Sequence, residues 1–275
     1  MTPVLYVVGL GPGNSEQVTA EARRALAGAT DLLGYFPYVA RAAALIEAGP
    51  GRSAPDESCP RGPNAQGYVP HAPVRHGSDN REELDRARHA LTLALEGRLP
   101  VVVSGGDAGV FGMASAIFEA IDTGDPHWKT IDVRVIPGIS AVLAASARLG
   151  APLGGDFCVL SLSDNLKPWP VVARRLGLAA EAGLVIALYN PRSKSRPDQL
   201  DRAFALLRDI LPPDTLIVFA RAIGREDERV LSTTLAQARG EMADMSTLVM
   251  IGCAQTREIV RPGQESRIYT ARSVS

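Results

Sequence analysis

At 275 residues the chain is long enough for one large domain or two of ordinary size. With 46% hydrophobic and 21% charged residues and a formal net charge of −1, it has the composition of a soluble globular protein and lacks the basic field of a nucleic-acid binder. No apolar run approaches the roughly 18 residues that a membrane helix needs.

The start, "MTPVLYVVGLG", has no basic flank and only a short apolar run, so 4–8 ("VLYVV") is expected as a strand rather than part of a signal peptide. It leads into "GLGPG" (9–13), which imitates a dinucleotide fingerprint but fails it. The third glycine position is Asn14, and Pro12 removes an amide that a phosphate would want. The acid about 20 residues on, Asp31, opens "DLLGY" and does not end a second strand. A helix follows the loop with Val18, Ala22, Leu26 and Ala29 on one face.

From 48 to 77 the chain is Pro/Gly-rich and aperiodic, and it reads as a mobile surface insertion ahead of an ordered lid. Its His71 and His76 are expected as solvated loop histidines. Asp79 and Glu82 then form a capping-box pattern before a helix carrying Leu84, Ala87, Leu91 and Leu95. "PVVVS" (100–104) is a strand that ends in "GGDAG". Gly105 and Gly106 bare the backbone to a ligand. Asp107 reads equally as a group at the ligand-binding end of the strand or as an N-cap for a helix beginning near Gly109. After the helical "MASAIFEAI", the strand "VRVIPGIS" again ends in a Pro-Gly turn, with Ser140 at a helix N-cap. Two such turns define a cleft without lysine or a Walker pattern, which suits a ligand poor in phosphate.

"GAPLGGD" (150–156) is the expected boundary, dividing 1–152 from 153–275. Beyond it, "FCVLSLS", "LVIALYN", "TLIVFAR" and "STLVMIG" read as strands. Helical "PVVARRLGLAAEAG" and "PDQLDRAFALLRDIL" lie between them, completing two α/β domains with a ligand cleft between them and a mainly parallel sheet in the first. Cys59, Cys158 and Cys253 show no paired spacing, and no metal site is expected.

"VGLGPGNSEQVTAEARRAL", "SGGDAGVFGMA" and "VIPGISA", in this order and spacing, resemble the tetrapyrrole methylase family. The resemblance implies methyl transfer from S-adenosylmethionine to a tetrapyrrole in a cytoplasmic homodimer, with S-adenosylhomocysteine as product. It implies donor contacts at Pro12, Gly105, Gly106, Asp107, Val110, Ser140, Ala141, Asn190, Ala222, Thr247 and Leu248, and a substrate cleft bordered by Gly11. "DFCVLSLSDNLKPW", "ALYNPRSKSR", "FARAIGREDE" and "MIGCAQTR" are similar to the branch that methylates carbon 17 of precorrin-3B and contracts the macrocycle to precorrin-4. A cobalt-bearing precorrin-3 or another tetrapyrrole is the alternative within the family, and an NAD-type oxidoreductase is the alternative outside it. On the branch reading, Lys167, Arg192, Lys194, Arg221 and Arg225 are candidates for the substrate carboxylates. Asp164, Tyr189 and Ser104 are candidates for the proton transfer that ring contraction needs.

Overall fold

The computed structural model describes residues 2–49, 72–79 and 82–273. It divides into two units, Met1–Ser140 and Ala141–Ser275.

In the first unit, β1 (Val4–Gly9), α1 (Ala20–Ala27), β2 (Asp31–Tyr35), α2 (Phe36–Glu47), β3 (Val74–Ser78), α3 (Glu83–Leu95), β4 (Pro100–Ser104), α4 (Met113–Thr123) and β5 (Asp132–Ile136) follow in order. The strands form one parallel sheet ordered β3-β2-β4-β1-β5. Strand residues alternate between its faces. Leu5, Val7, Leu33 and Val102 pack with α3 and α4, whereas Val8, Leu32, Val101 and Val103 pack with α1 and α2. A parallel sheet covered on both faces needs a near-continuous apolar strand, which the run 100–103 of "PVVVS" supplies; the strand is buried throughout, and its one polar residue, Ser104, stands at its carboxyl end.

Val18, Ala22, Leu26 and Ala29 are all buried, as their spacing implies. On α3 the buried stripe is Ala87, Ala90, Leu91 and Ala94, with Leu84 and Leu95 turned outward. The capping box is only partly formed: the Glu82 carboxylate accepts the Asp79 amide at 3.2 Å, and the helix starts at Glu83 with no side-chain cap.

The insertion reading needs correction at its end. Residues 50–71, including Cys59 and His71, lie outside the described residues, but 74–78 form the parallel edge strand β3. Nor is His76 a solvated loop histidine. Its Nε2 lies 2.8 Å from the fully buried Asp31, which also pairs with Arg98 at 2.7 Å and accepts the Thr30 hydroxyl at 2.7 Å. The cluster clasps the otherwise polar β3 to β2. Burial pushes the Asp31 carboxyl up, but the hydrogen bonds from His76 and Thr30 and the charge of Arg98 outweigh it and hold the group below its usual value. A depressed carboxyl stabilises the fold above the unfolded value, about pH 4, and the contribution is lost as pH falls through the folded one. In urea titrations, the stability gap between the parent and Asp31→Asn is therefore expected to narrow from pH 6 to pH 3. A gap independent of pH counts against this assignment.

The second unit comprises α5 (Ala141–Leu149), β6 (Gly150–Ala151), β7 (Phe157–Ser161), α6 (Trp169–Glu181), β8 (Val185–Tyr189), α7 (Gln199–Arg208), β9 (Leu216–Arg221), β10 (Arg229–Thr234), β11 (Thr247–Ile251), β12 (Thr256–Ile259) and β13 (Arg267–Thr270). Its main sheet is mixed, ordered β10-β9-β11-β8-β7, with only β7 and β8 parallel. α6 and α7 cover one face around Phe204, Leu188, Phe219 and Val249. The division falls before α5, twelve residues ahead of the expected boundary (152 − 140). The reason is packing: α5 rests on β11, β6 and β13 of the second unit, and the carbonyl of Arg148 in α5 accepts from Arg267 of β13 at 2.9 Å.

Candidate functional site

The first unit has a topological switch point between β1 and β4. β1 connects through α1 toward β2 on one side of the sheet order, and its neighbour β4 connects through α4 toward β5 on the other. Open α/β sheets bind ligands outside the carboxyl ends of such a strand pair. Those ends are Gly9 and Ser104, which sit opposite each other in the ladder.

Three turns converge there. The Leu10 amide donates to the Ser104 carbonyl at 2.9 Å, and Gly11 and Gly106 exchange both backbone hydrogen bonds at 3.0 and 2.9 Å. Gly11 (φ 73°) and Gly106 (φ 65°) take the left-handed conformation that glycine permits. A Cβ on Gly9 would lie 2.6 Å from the Gly106 oxygen and 2.7 Å from the Gly138 nitrogen, so backbone meets backbone with no room for a side chain. Gly105 faces the ring of Tyr38 from α2, 2.6 Å from where its Cβ would stand. Asp107 does not cap α4, whose first residue is Met113. Instead its Oδ1 accepts the Gly109 amide at 2.8 Å and its Oδ2 the Gly138 amide at 3.0 Å. The α4 start is held by Ser104, whose buried hydroxyl accepts the Met113 amide at 3.0 Å. Val110 is exposed in the same turn, and Ser140 is buried just before α5 and Ala141.

Arg41 of α2 escaped the sequence reading. Its guanidinium donates to the carbonyls of Gly11 (2.9 Å) and Leu10 (2.8 Å), fixing the first glycine loop from below around Pro12. The amides of Leu10 and Gly11 are thus spent on the β4 turn and their carbonyls on Arg41. Pro12 has no amide, so residues 10–12 offer no donor to a pyrophosphate.

In the second unit the corresponding residues gather at one end of the sheet. Ser161 and Tyr189 end β7 and β8 side by side, Asn190 and Ala222 follow β8 and β9, and Thr247 opens the antiparallel β11 beside Arg221. Among the described residues the non-glycine positions with positive φ are Phe111 (53°), Asn190 (52°) and Ala222 (51°). A left-handed L-residue costs roughly 1–2 kcal/mol, and such strain gathers at ligand sites. All three stand in turns where the resemblance implies donor contacts. The Asn190 side chain donates to the Ser161 hydroxyl at 2.9 Å, and the Ala222 amide donates to the Ser246 carbonyl at 2.9 Å. Thr247 is buried, with its hydroxyl donating to Asp244 at 2.8 Å, and Leu248 is buried behind it.

Arg221, expected among the groups for the substrate carboxylates, has acidic partners within its own unit. It donates to Asp244 at 2.8 Å and Asp227 at 2.7 Å, and the hydrogen bonds from Arg221 hold the exposed Asp227 carboxyl below its usual value. Through Nε and Nη1 the guanidinium braces the strained Ala222 turn. A second ion network acts from the far side of this turn: Glu228 accepts the Gly224 amide at 2.8 Å and pairs at 2.6 Å with Arg148, which also grips Glu265. Lys167, Arg192, Lys194 and Arg225 stand on loops at the same sheet end. Burial, reinforced by Arg175, pushes the Lys167 ammonium down. Of the proton-transfer candidates, Tyr189 accepts the Val142 amide at 2.9 Å and so holds the start of α5, and Ser104 holds the start of α4. Asp164, half-buried on the loop after β7, makes no hydrogen bond or ion pair with the described residues.

Two α/β units with an interlocked glycine site and strained strand-end turns define a small-molecule enzyme of the two-unit α/β type. The profile of the Tetrapyrrole (Corrin/Porphyrin) Methylases matches residues 4–239, and the chain belongs to that family. It is 50% identical over 272 residues to a Sinorhizobium protein named precorrin-3B C(17)-methyltransferase, covering 99% of this chain and 97% of that one. A Salmonella typhimurium protein named probable cobalt-factor III C(17)-methyltransferase is 36% identical over 249 residues, covering 90% of this chain and 92% of its own length. The crystal structure of the methyltransferase CobJ superposes with a TM-score of 0.82 at 46% identity, over 97% of this chain and 99% of that one. Among the described residues, no helix is long and apolar enough to cross a membrane.

Proposed function

We infer that this chain is the S-adenosylmethionine-dependent methyltransferase of cobalamin biosynthesis that methylates carbon 17 of precorrin-3B and contracts the ring to precorrin-4. The observation that carries the reading is end-to-end similarity, at 50% identity, to a protein named for that reaction. The glycine site agrees with it. A loop whose amides are spent and whose third residue is proline suits a donor without phosphate and disfavours NAD. Asp31, the one acid placed to imitate a ribose ligand, is buried under His76 and Arg98. The metal-free substrate is preferred to a cobalt-bearing one because the relative named for cobalt-factor III stands at 36% identity. The family resemblance adds a cytoplasmic homodimer to the reading.

The chemistry asks for alignment first. An enamine-like pyrrolic carbon is already nucleophilic, so holding it in line with the sulfonium methyl can supply most of the rate, effective molarities reaching roughly 10⁵–10⁸ M. The rigid strand-end turns suit that task. Contraction asks in addition for a base to take the proton of a hydroxyl on carbon 20 as that oxygen becomes a carbonyl, a neighbouring carbon migrates with its bonding pair, and a carboxylate leaves the carbon to which it moves; Asp164, whose carboxylate has no partner among the described residues, is the candidate base.

Thermal unfolding with separate ligands tests the assignment. S-adenosylmethionine at 100 times its Kd adds about 2.7 kcal/mol, or roughly 5–10 °C in Tm, whereas NAD and ATP are expected to add nothing. Stabilisation by NAD alone would overturn the reading.

A further inference from the structure

Asp107 lies where the three turns of the first unit meet, and the family resemblance casts it as a donor ligand. Its geometry assigns it a different job. One oxygen accepts an amide two residues on, Gly109 at 2.8 Å, and the other accepts an amide 31 residues on, Gly138 at 3.0 Å. The second bond ties the turn after β4 to the turn after β5. At this junction Gly9, Gly106 and Gly138 press backbone on backbone, so no side chain stands between the turns to hold them in register.

We propose that Asp107 is a positioning residue: its carboxylate staples the Gly105–Asp107 turn to the turn at Gly138, and the donor is gripped by the backbone so arranged and not by the carboxylate itself. The electrostatics of methyl transfer favour this division. The donor's positive charge disappears in the reaction, so a bare carboxylate against the sulfonium would stabilise the ground state more than the transition state and slow the step. A carboxylate already engaged by two amides aligns the site at a smaller electrostatic cost. The proposal rests on the reading of these turns as the S-adenosylmethionine site.

Asp107→Asn separates the two roles. Asn offers one acceptor and one NH2 group, so one of the two amides loses its partner whichever way the side chain lies. Calorimetric affinities are compared for S-adenosylmethionine, S-adenosylhomocysteine and methylthioadenosine, together with amide hydrogen exchange of the 135–142 segment in ligand-free protein. A staple predicts that all three ligands weaken by the same factor, about tenfold or more. It also predicts faster exchange at Gly138 in the variant, and a tetrapyrrole KM within twofold of the parent. A loss confined to S-adenosylmethionine, or to the two ligands that carry the amino-acid end, would mark a direct ligand and overturn the proposal. A uniform loss with unchanged exchange would overturn it equally. If the variant does not fold, exchange in the unmodified protein decides: protection of the Gly138 amide before any ligand is added supports the staple, and its absence overturns it. Failure of the unmodified protein to bind any of the three ligands would defeat the donor-site reading, leaving the staple to be judged by exchange alone.

Discussion

Gly138→Ala is expected to cut donor affinity by about 10²-fold and to lower the melting temperature of the protein by roughly 6–12 °C. The added methyl would stand against the Gly106 carbonyl and within 2.7 Å of the Gly9 carbonyl carbon. Both obstacles are backbone, anchored by the β1–β4 and β1–β5 ladders, so neither can rotate away as a side-chain tip would. Overpacking of this kind costs about 3 kcal/mol, and the relief open to the chain is to separate the turns. Separation would also stretch the Asp107–Gly138 bond and displace the backbone on which donor binding depends. Gly97→Ala serves as the control. Gly97 has φ 78° and nothing within 4 Å of its missing Cβ, so it suffers backbone strain of about 1–2 kcal/mol and no collision. Calorimetry with S-adenosylhomocysteine should find its donor affinity intact. Parental affinity in Gly138→Ala would mean that the three turns are not the donor site.

What the chain discloses in advance follows from the range of the interactions involved. The glycine turns were legible because a turn needing φ near 70°, or a close backbone approach, leaves glycine as the residue that fits, and that demand is local. The strands from 4–8 and 100–104 were equally plain as unbroken apolar runs. β2 and α2 were not, because Tyr35 ends the strand and Phe36 begins the helix with no turn residue between them. With α2 unseen, Arg41 and Tyr38 had no place in the site, although both brace it. β3 hid for another reason: an edge strand with one neighbour needs little apolar surface, and "VRHGS" is held by the His76–Asp31 pair, 45 residues apart. Arg221 shows the limit for charges. The acids that this strand-end arginine meets on folding, Asp227 and Asp244, come from six and 23 residues away, and no local pattern pairs them with it.

Asp164→Asn is expected to separate the two halves of the reaction, leaving methyl transfer within about threefold of the parent while contraction slows roughly 10²–10⁴-fold, the usual worth of a positioned general base. Ser104 and Tyr189 are each drawn into holding a helix start: the Ser104 hydroxyl accepts the Met113 amide and the Tyr189 hydroxyl the Val142 amide, so removing either disturbs a turn as well as any proton transfer. Asp164 has no such structural duty among the described residues, and Asn is nearly isosteric, so a selective loss can be read as chemistry. The methylated and contracted macrocycles differ in conjugation. Single-turnover mixing with labelled methyl donor can therefore follow label transfer by scintillation and ring contraction by visible absorbance in the same reaction. Accumulation of a labelled, uncontracted tetrapyrrole is the expected result. If label transfer and contraction fall together, Asp164 is holding the substrate and not taking its proton. If neither falls, the base lies elsewhere at that end of the second sheet.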